Sequence, residues 1–340
     1  MIVDGLRLMV YFGDALETGH RLTSDVLMER LAGHGVTVSA LARGIEGFGL
    51  NRRIHAARLP DLSSDLPLVA AAIDTRERIE AVFEDAAQIV PRGLLTLESV
   101  TLVTGCDVAT AEVPSDGGHW SRLTVYCGRR ERYRQVVQIL KVSGAPGATV
   151  ILGVDGTVHG RRARAHLFGR NSDVPMAVIS VGRTAAIRQA LPHLGECLED
   201  PIATLEPLSM LKHDGNGIDL PPGSGSGWRK ISVMTRETAQ VEGRALFTEL
   251  TRRLRTGGAA GATTTRGEWG YSSDEPPHGD RFARLTFHTP TLTTTIDTTD
   301  NIARLWPTVD RLTAHHGVVT IGEVPVSREL GKGPGGPSQD

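Results

Sequence analysis

Hydrophobic and polar positions along the chain fall into one pattern, written three times. In the first copy, residues 6–12 read as a β-rich run, and Leu27 and Leu31 then lie one helical turn apart. Ser24 or Asp25 can cap that helix, and Gly35 can close it. "VTVSALA" (36–42) reads as a second strand. "PLVAAAI" (67–73) is apolar throughout, the mark of a strand covered on both faces. Asp74 and Glu77 suit a capping box, and Ile79, Val82, Phe83 and Ala86 follow at helical spacing. "LLTLESV" (94–100) ends the unit as a strand. The expected order is strand, helix, strand, strand, helix, strand.

The other two copies keep the same landmarks. A helix-ending glycine recurs as Gly35, Gly144 and Gly258, with Gly44, Gly153 and Gly267 nine residues later. Gly47, Gly156 and Gly270 stand three residues further on, and Pro67, Pro175 and Pro290 open the third strand. The second helix carries Ile187, Ala190, Leu191 and Leu194 in copy two, and Ile302, Leu305, Trp306 and Val309 in copy three. Opening strands read "LMVYFG", "LTVYCG" and "ISVMTR"; closing strands read "LLTLESV", "IATLEPL" and "VVTIGEV". Searching for such periodicity first decides the fold. The domains expected are 1–105, 119–211 and 228–326, joined by linkers 106–118 and 212–227 of Gly, Pro, Asp and Ser composition, with a disordered tail at 327–340.

The fold class is therefore α+β: three tandem ferredoxin-like (βαββαβ) units, each a split βαβ. Two helices cover one face of a four-stranded sheet. The other face carries "LVAAAI" and "MAVISV", so it needs a cover too, and the simplest cover is the other two copies.

Composition narrows the class. The chain has 340 residues, a net charge of −2 and three widely spaced cysteines, Cys106, Cys127 and Cys197. No disulfide or metal spacing, secretory leader or long apolar run is present, so a cytoplasmic protein that is not membrane-embedded is expected. The basic run at 161–170 lacks interleaved aromatics and the chain is net acidic, so nucleic acid is not an expected partner. No nucleophile–base set, HExxH or P-loop appears, and the protein reads as a non-enzyme. "GSGSG" (223–227) follows no strand and reads as linker.

The span "RGIEGFG" (43–49), then "RRIHAARL" (52–59), then "LSSDLPLVAAAIDTRERI" (62–79), resembles domain of unknown function 190, a PII-like family. PII proteins are homotrimers of ferredoxin-like subunits whose sheets face the trimer axis. The resemblance implies a monomeric chain folded as an intramolecular pseudo-trimer. It also implies nucleotide binding in the cleft between units, at the base of a long loop between the second and third strands, and loop movement that controls a partner. The partner suggested by the family's gene associations is a membrane transporter of the fluoride-exporter type. The chain departs from PII proteins in two places. Leu50, Asn51 and Arg52 stand where a glutamine helps hold magnesium and 2-oxoglutarate, and "IVPRGLL" (89–95) replaces the glycine-and-lysine turn, with Arg92 as its cation.

Candidate ligand contacts follow from the loop base. Gly44, Gly47 and Gly49 can expose N–H groups to an anion, beside Phe48, with Arg43, Arg52, Arg53, Arg58 and His55 around them. Equally, glycines here can serve only the backbone path, and the arginines can be solvated. The sister positions are Gly153, Gly156, Arg161 and Arg162, then Arg266, Gly267 and Gly270. The loops have diverged most, so fewer than three clefts are expected to work, the first foremost. The expected function is PII-like regulation by a small anion, plausibly a nucleotide, with no other cofactor. The alternative is a ligand-independent interaction scaffold, such as a transporter accessory protein.

Overall fold

The computed structural model describes residues 1–57, 65–114, 119–127, 133–165, 174–219, 222–272, 277–279 and 289–331. Repeat 1 runs β1 (Ile2–Gly13), α1 (Thr23–Gly33), β2 (Val38–Phe48), β3 (Pro67–Thr75), α2 (Arg76–Ile89), β4 (Gly93–Thr104). β1 is central, pairing antiparallel with β3 on one side and β4 on the other, while β2 pairs with β3. Repeat 2 repeats this with β5 (Trp120–Cys127), α3 (Tyr133–Val142), β6 (Gly147–Leu152), β7 (Asp155–Val158), β8 (Arg161–Arg164), β9 (Met176–Arg183), α4 (Thr184–Cys197) and β10 (Ile202–His213). Repeat 3 follows as β11 (Trp228–Arg236), α5 (Leu246–Thr256), β12 (Ala262–Arg266), β13 (Trp269–Ser272), β14 (Pro290–Thr298), α6 (Thr299–Leu312), β15 (Val318–Val324) and β16 (Val326–Leu330). The chain is a mixed α+β protein of three tandem repeats.

Alternation along β1 explains both faces. Leu6, Leu8, Val10 and Phe12 pack with Leu27, Met28, Leu31, Ile79, Val82 and Phe83 into the repeat 1 core. Arg7, Met9 and Tyr11, one residue out of phase, face a central cavity of about 140 Å³. Arg122, Thr124 and Tyr126 of repeat 2 and Lys230, Ser232 and Met234 of repeat 3 line the same cavity. Each sheet's second face is thus covered by the other two repeats.

Two sets of strand pairings close the ring. Closing strands meet end to end: Thr101–Thr104 of β4 with Ile202–Leu205 of β10, Ser209–His213 of β10 with Val318–Ile321 of β15, and β16 with Gly93–Leu97 of β4. Loop bases meet second strands: β7 with Val38–Leu41, β13 with Gly147–Val150, and Gly44–Phe48 with Ala262–Thr265. Each link follows the same cyclic order.

Several expected details differ. The described part of the 106–118 segment, up to residue 114, is not a bare linker: a 3₁₀ helix at Gly105–Thr110 packs on α4, and Val108, Ala111 and Val113 join the repeat 2 core. The 212–227 segment begins inside β10, and Asn216–Gly217 folds back on Lys212–His213. The tail is a strand as far as Leu330, because edge strand β4 offers it unpaired backbone groups; residues 332–340 lie outside the described residues. Neither Ser24 nor Asp25 caps α1, which begins at Thr23 with Leu22 before it. Asp74 with Glu77 forms no capping box, since α2 starts at Arg76 and leaves Glu77 one position short. Asp74 instead accepts from the N–H of Thr75 (2.6 Å) and from the N–H and hydroxyl of Thr37 (2.7 and 2.9 Å).

Candidate functional site

The glycines of the loop bases are where the repeats press together. A Cβ at Gly47 would sit 2.5 Å from the Ala262 carbonyl oxygen, one at Gly156 2.3 Å from that of Ser39, and one at Gly270 2.2 Å from that of Ala148. Gly44 and Gly267 lie against Pro67 and Pro290 (2.7 and 2.9 Å), and Gly153 against the Pro175 carbonyl (2.6 Å). Only a residue without a side chain lets one repeat's loop base pair with the next repeat's strand there. The structure therefore gives Gly47, Gly156 and Gly270 a packing role between repeats, and Gly44, Gly153 and Gly267 a packing role against the proline of their own repeat's third strand. The residue after each inner glycine completes the contact. Phe48 of repeat 1 is buried in the repeat 3 core, and Tyr271 of repeat 3 in the repeat 2 core.

Beside the first of these contacts, the seam between repeats 1 and 3 holds a cleft of about 120 Å³. Repeat 1 supplies Tyr11–Gly13 from β1, Gly47–Asn51 and His55 from the loop, and Arg92–Leu94 from the turn before β4. Repeat 3 supplies Ala260–Thr263, Thr294 and Ile296. The loop is shaped locally: the Arg52 N–H donates to the Gly49 carbonyl (2.8 Å), Arg52 takes a left-handed φ of 53°, and His55–Ala56 returns to pair with Glu46 and Gly47. A Cβ at Gly49 would meet nothing within 4 Å, so its face is open to the cleft. His55 Nε2 is buried without a hydrogen-bond partner. Arg92, Asp65 and Glu329 are the charged groups on a lining that is otherwise mostly apolar with a few polar groups. At its edge, burial pushes the Asp14 carboxyl above the ordinary range, with Arg43 opposing and Asp65 adding.

Of the candidate contacts, Gly47, Phe48, Gly49 and His55 meet in this cleft. Candidate arginines are engaged elsewhere. Arg43 lies 3.4 Å from Asp14; Arg52 donates to the Arg255 carbonyl and Arg255 to the Arg52 carbonyl (3.3 Å). Arg162 grips Asp155 with two bonds (3.0 and 2.6 Å), and Arg266 pairs with Glu237. Arg53 and Arg161 are exposed, and Arg58 lies outside the described residues. Sequence reasoning left out of the candidate set the turn cation Arg92, the strand end at Tyr11 and the whole repeat 3 wall. The wall was legible only as the cyclic neighbour of the loop, which no single repeat reveals.

The equivalent seam between repeats 3 and 2 is nearly filled. Gly147–Thr149, Val181, Met234, Tyr271, Ser272 and Val318 leave about 10 Å³, and the Tyr271 hydroxyl donates to the Ala145 carbonyl (2.8 Å). Between repeats 2 and 1, Val38, Ile73, Tyr126 and Ile202 pack in one apolar cluster with Val100 and Leu102. Among the described residues no group of three or more His, Cys, Asp or Glu could hold a metal, and no helix is long and apolar enough to cross a membrane.

Comparison with known proteins agrees with the threefold pattern. A UPF0166 protein of Aquifex aeolicus (strain VF5) is 34% identical over 77 residues, covering 23% of this chain and 72% of that protein. The family described as "Uncharacterized ACR, COG1993" matches at 5–102, 120–210 and 228–326, each match one repeat. With three matches spanning most of its length, the chain belongs to this family, domain of unknown function 190.

Proposed function

We propose that the protein is a PII-like regulator: three ferredoxin-like units forming an intramolecular pseudo-trimer that binds one small ligand in the cleft between repeats 1 and 3. The observation that carries this reading is the inequality of the seams, about 120 Å³ at the first loop against about 10 Å³ at the third. A binding site is concave, mostly apolar and provided with a few placed polar groups. Here Tyr11, Phe48, Leu50 and Ile296 offer a slot for a flat ring, and Arg92, Asn51 and His55 offer polar ends. That combination suits a nucleotide. Gly47–Asn51 and His55 of the loop line the cleft, so occupancy can bias the loop a partner would read.

Titration calorimetry with AMP, ADP, ATP, cyclic AMP and inorganic phosphate tests it. The expected result is binding of one nucleotide per chain, weakened at least tenfold in Arg92→Ala and in His55→Ala. Three equivalent sites per chain would overturn the reading, and so would no binding by any of the panel.

A further inference from the structure

The centre of the molecule holds a charge arrangement that the repeat pattern makes readable. β1, β5 and β11 each place a cation at the same position: Arg7, Arg122 and Lys230, all nearly buried. Across the strand pair, Arg7 stands opposite Glu98 and Arg122 opposite Glu206. Lys230 stands opposite Gly322. Directly opposed residues of an antiparallel pair share a face, so Gly322 occupies the place of a third central carboxylate.

The pairing shows the consequence. Arg7 bonds both Glu98 and Glu206 (2.7 Å to the latter). Arg122 reaches Glu206 at 3.2 Å, and Lys230 reaches Glu98. Following the same cycle, the third carboxylate would bridge Arg122 and Lys230. Among the described residues of this ring, three cations face two carboxylates. A Cβ at Gly322 would meet no heavy atom within 4 Å, and Gly322 is only half-buried, so the vacant position is open and reachable. The Thr320 hydroxyl, on the same face two residues earlier, is buried without a partner, as are those of Thr96 and Thr204 two residues before Glu98 and Glu206. All three cations line the central cavity of about 140 Å³, whereas Gly322 does not, so the room at the proposed site is the open space around the Gly322 Cβ position.

Each cation has a carboxylate, but three cations share two, and a net positive charge left in the interior is costly. We propose that one compact monovalent anion, a halide or a one- or two-carbon carboxylate, binds at Gly322 between Lys230 and Arg122, in place of the missing carboxylate. This site is separate from the seam cleft and does not depend on it. Burial holds the Lys230 ammonium at about 8, with Glu98 opposing and Arg122 and Arg7 adding. The other titratable groups facing it do not change charge near there. Burial raises the Tyr11 and Tyr126 phenols. Glu98 and Glu206 lie below the ordinary range, because the cations outweigh the effect of their burial. Anion binding therefore weakens as pH rises past about 8.

The test is thermal melting of the full chain at pH 6.5, with ionic strength held by gluconate while chloride, or acetate in a second arm, replaces it. Wild type is expected to gain a few degrees with saturation. Gly322→Glu supplies the carboxylate and Lys230→Met removes the excess charge, so each is expected to lose that dependence. A bromide soak of crystals is expected to give one anomalous peak beside Lys230. Equal melting of wild type in chloride, acetate and gluconate would overturn the proposal. So would an anion response unchanged in Lys230→Met, or bromide peaks only at the surface. The soak and Lys230→Met decide the matter even if Gly322→Glu does not fold.

Discussion

The seam between repeats 1 and 3 and the seam between repeats 3 and 2 are built from the same strands, yet one is open and the other shut. Equivalent positions carry Phe48 and Tyr271, Gly49 and Ser272, Tyr11 and Met234, Leu94 and Val318, Ile296 and Val181. In the shut seam Tyr271 reaches across to the Ala145 carbonyl, and strand pairing runs on to Ser272 opposite Gly147. In the open seam pairing stops at Phe48 opposite Ala262, and the chain turns away between Gly49 and Arg52. Met234, Val181 and Val318 also belong to an apolar cluster with Trp120, Leu208 and Met210. One hydrogen-bonded aromatic and one more paired residue thus separate a packing interface from a cavity. Three identical chains could not divide these roles; three repeats in one chain can.

The comparison breaks most visibly at Tyr271. Tyr271→Ala removes a buried ring and its hydroxyl bond, and should cost about 3–5 kcal/mol in urea unfolding. The same change at Phe48 removes a ring from the repeat 3 core, so both seams should prove stabilising at this position. A loss below about 1 kcal/mol for Tyr271→Ala would mean that the shut seam is not held by this residue. Next comes Gly270→Val, whose Cβ would sit 2.2 Å from backbone oxygen. Overpacking against a carbonyl that cannot swing aside should cost about 3 kcal/mol. Gly49→Ala, with open space around it, should change stability by less than about 0.5 kcal/mol. Equal losses at Gly270 and Gly49 would erase the distinction between a glycine packed against backbone and one that lines the cleft.

Much of this architecture was legible before any coordinates, because repeated landmarks are a strong signal. The helical stripes Ile187, Ala190, Leu191, Leu194 and Ile302, Leu305, Val309 are buried as the spacing implied, with Trp306 half-buried. The site was less legible. A glycine that lets two backbones approach and a glycine that frames a ligand look alike in sequence; Gly47 and Gly49 are two residues apart and differ in this way. The arginines misled for a related reason: Arg162 finds Asp155 across a hairpin and Arg266 finds Glu237 at 29 residues' distance, and neither pairing follows from the spacing of the glycines. The central charges were visible in principle. Aligning the quoted opening strands puts the residues just before them, Arg7, Arg122 and Lys230, in one column, and aligning the closing strands puts Glu98, Glu206 and Gly322 in another. The apolar runs "LVAAAI" and "MAVISV" do not reveal them, because those runs belong to the third strands and the charges sit on the first and last.

Smaller effects sharpen the picture of the open seam. Gly49→Trp places a large side chain at the lining of the cleft, where a Cβ meets nothing within 4 Å. It should leave stability within about 0.5 kcal/mol while abolishing nucleotide binding in calorimetry; a loss of several kcal/mol would show that the cleft is not free space. The weakest effect near neutral pH concerns α5, whose last turn holds the loop through the Arg52–Arg255 contacts. Glu249 on that helix bonds Arg252 and, at 2.6 Å, Arg253, with Arg244 at 3.6 Å. Hydrogen bonding from Arg252 and then Arg253, against some desolvation, holds its carboxyl at about 2. A carboxyl depressed in the folded state contributes stability above its unfolded value of 4.5, and loses that contribution as pH falls toward about 2. Wild type should therefore lose stability across that window more steeply than Glu249→Gln, which has no proton to take up. Parallel acid limbs for the two proteins would show that Glu249 is as solvated in the folded chain as in the unfolded one, and that α5 holds the open seam's loop without it.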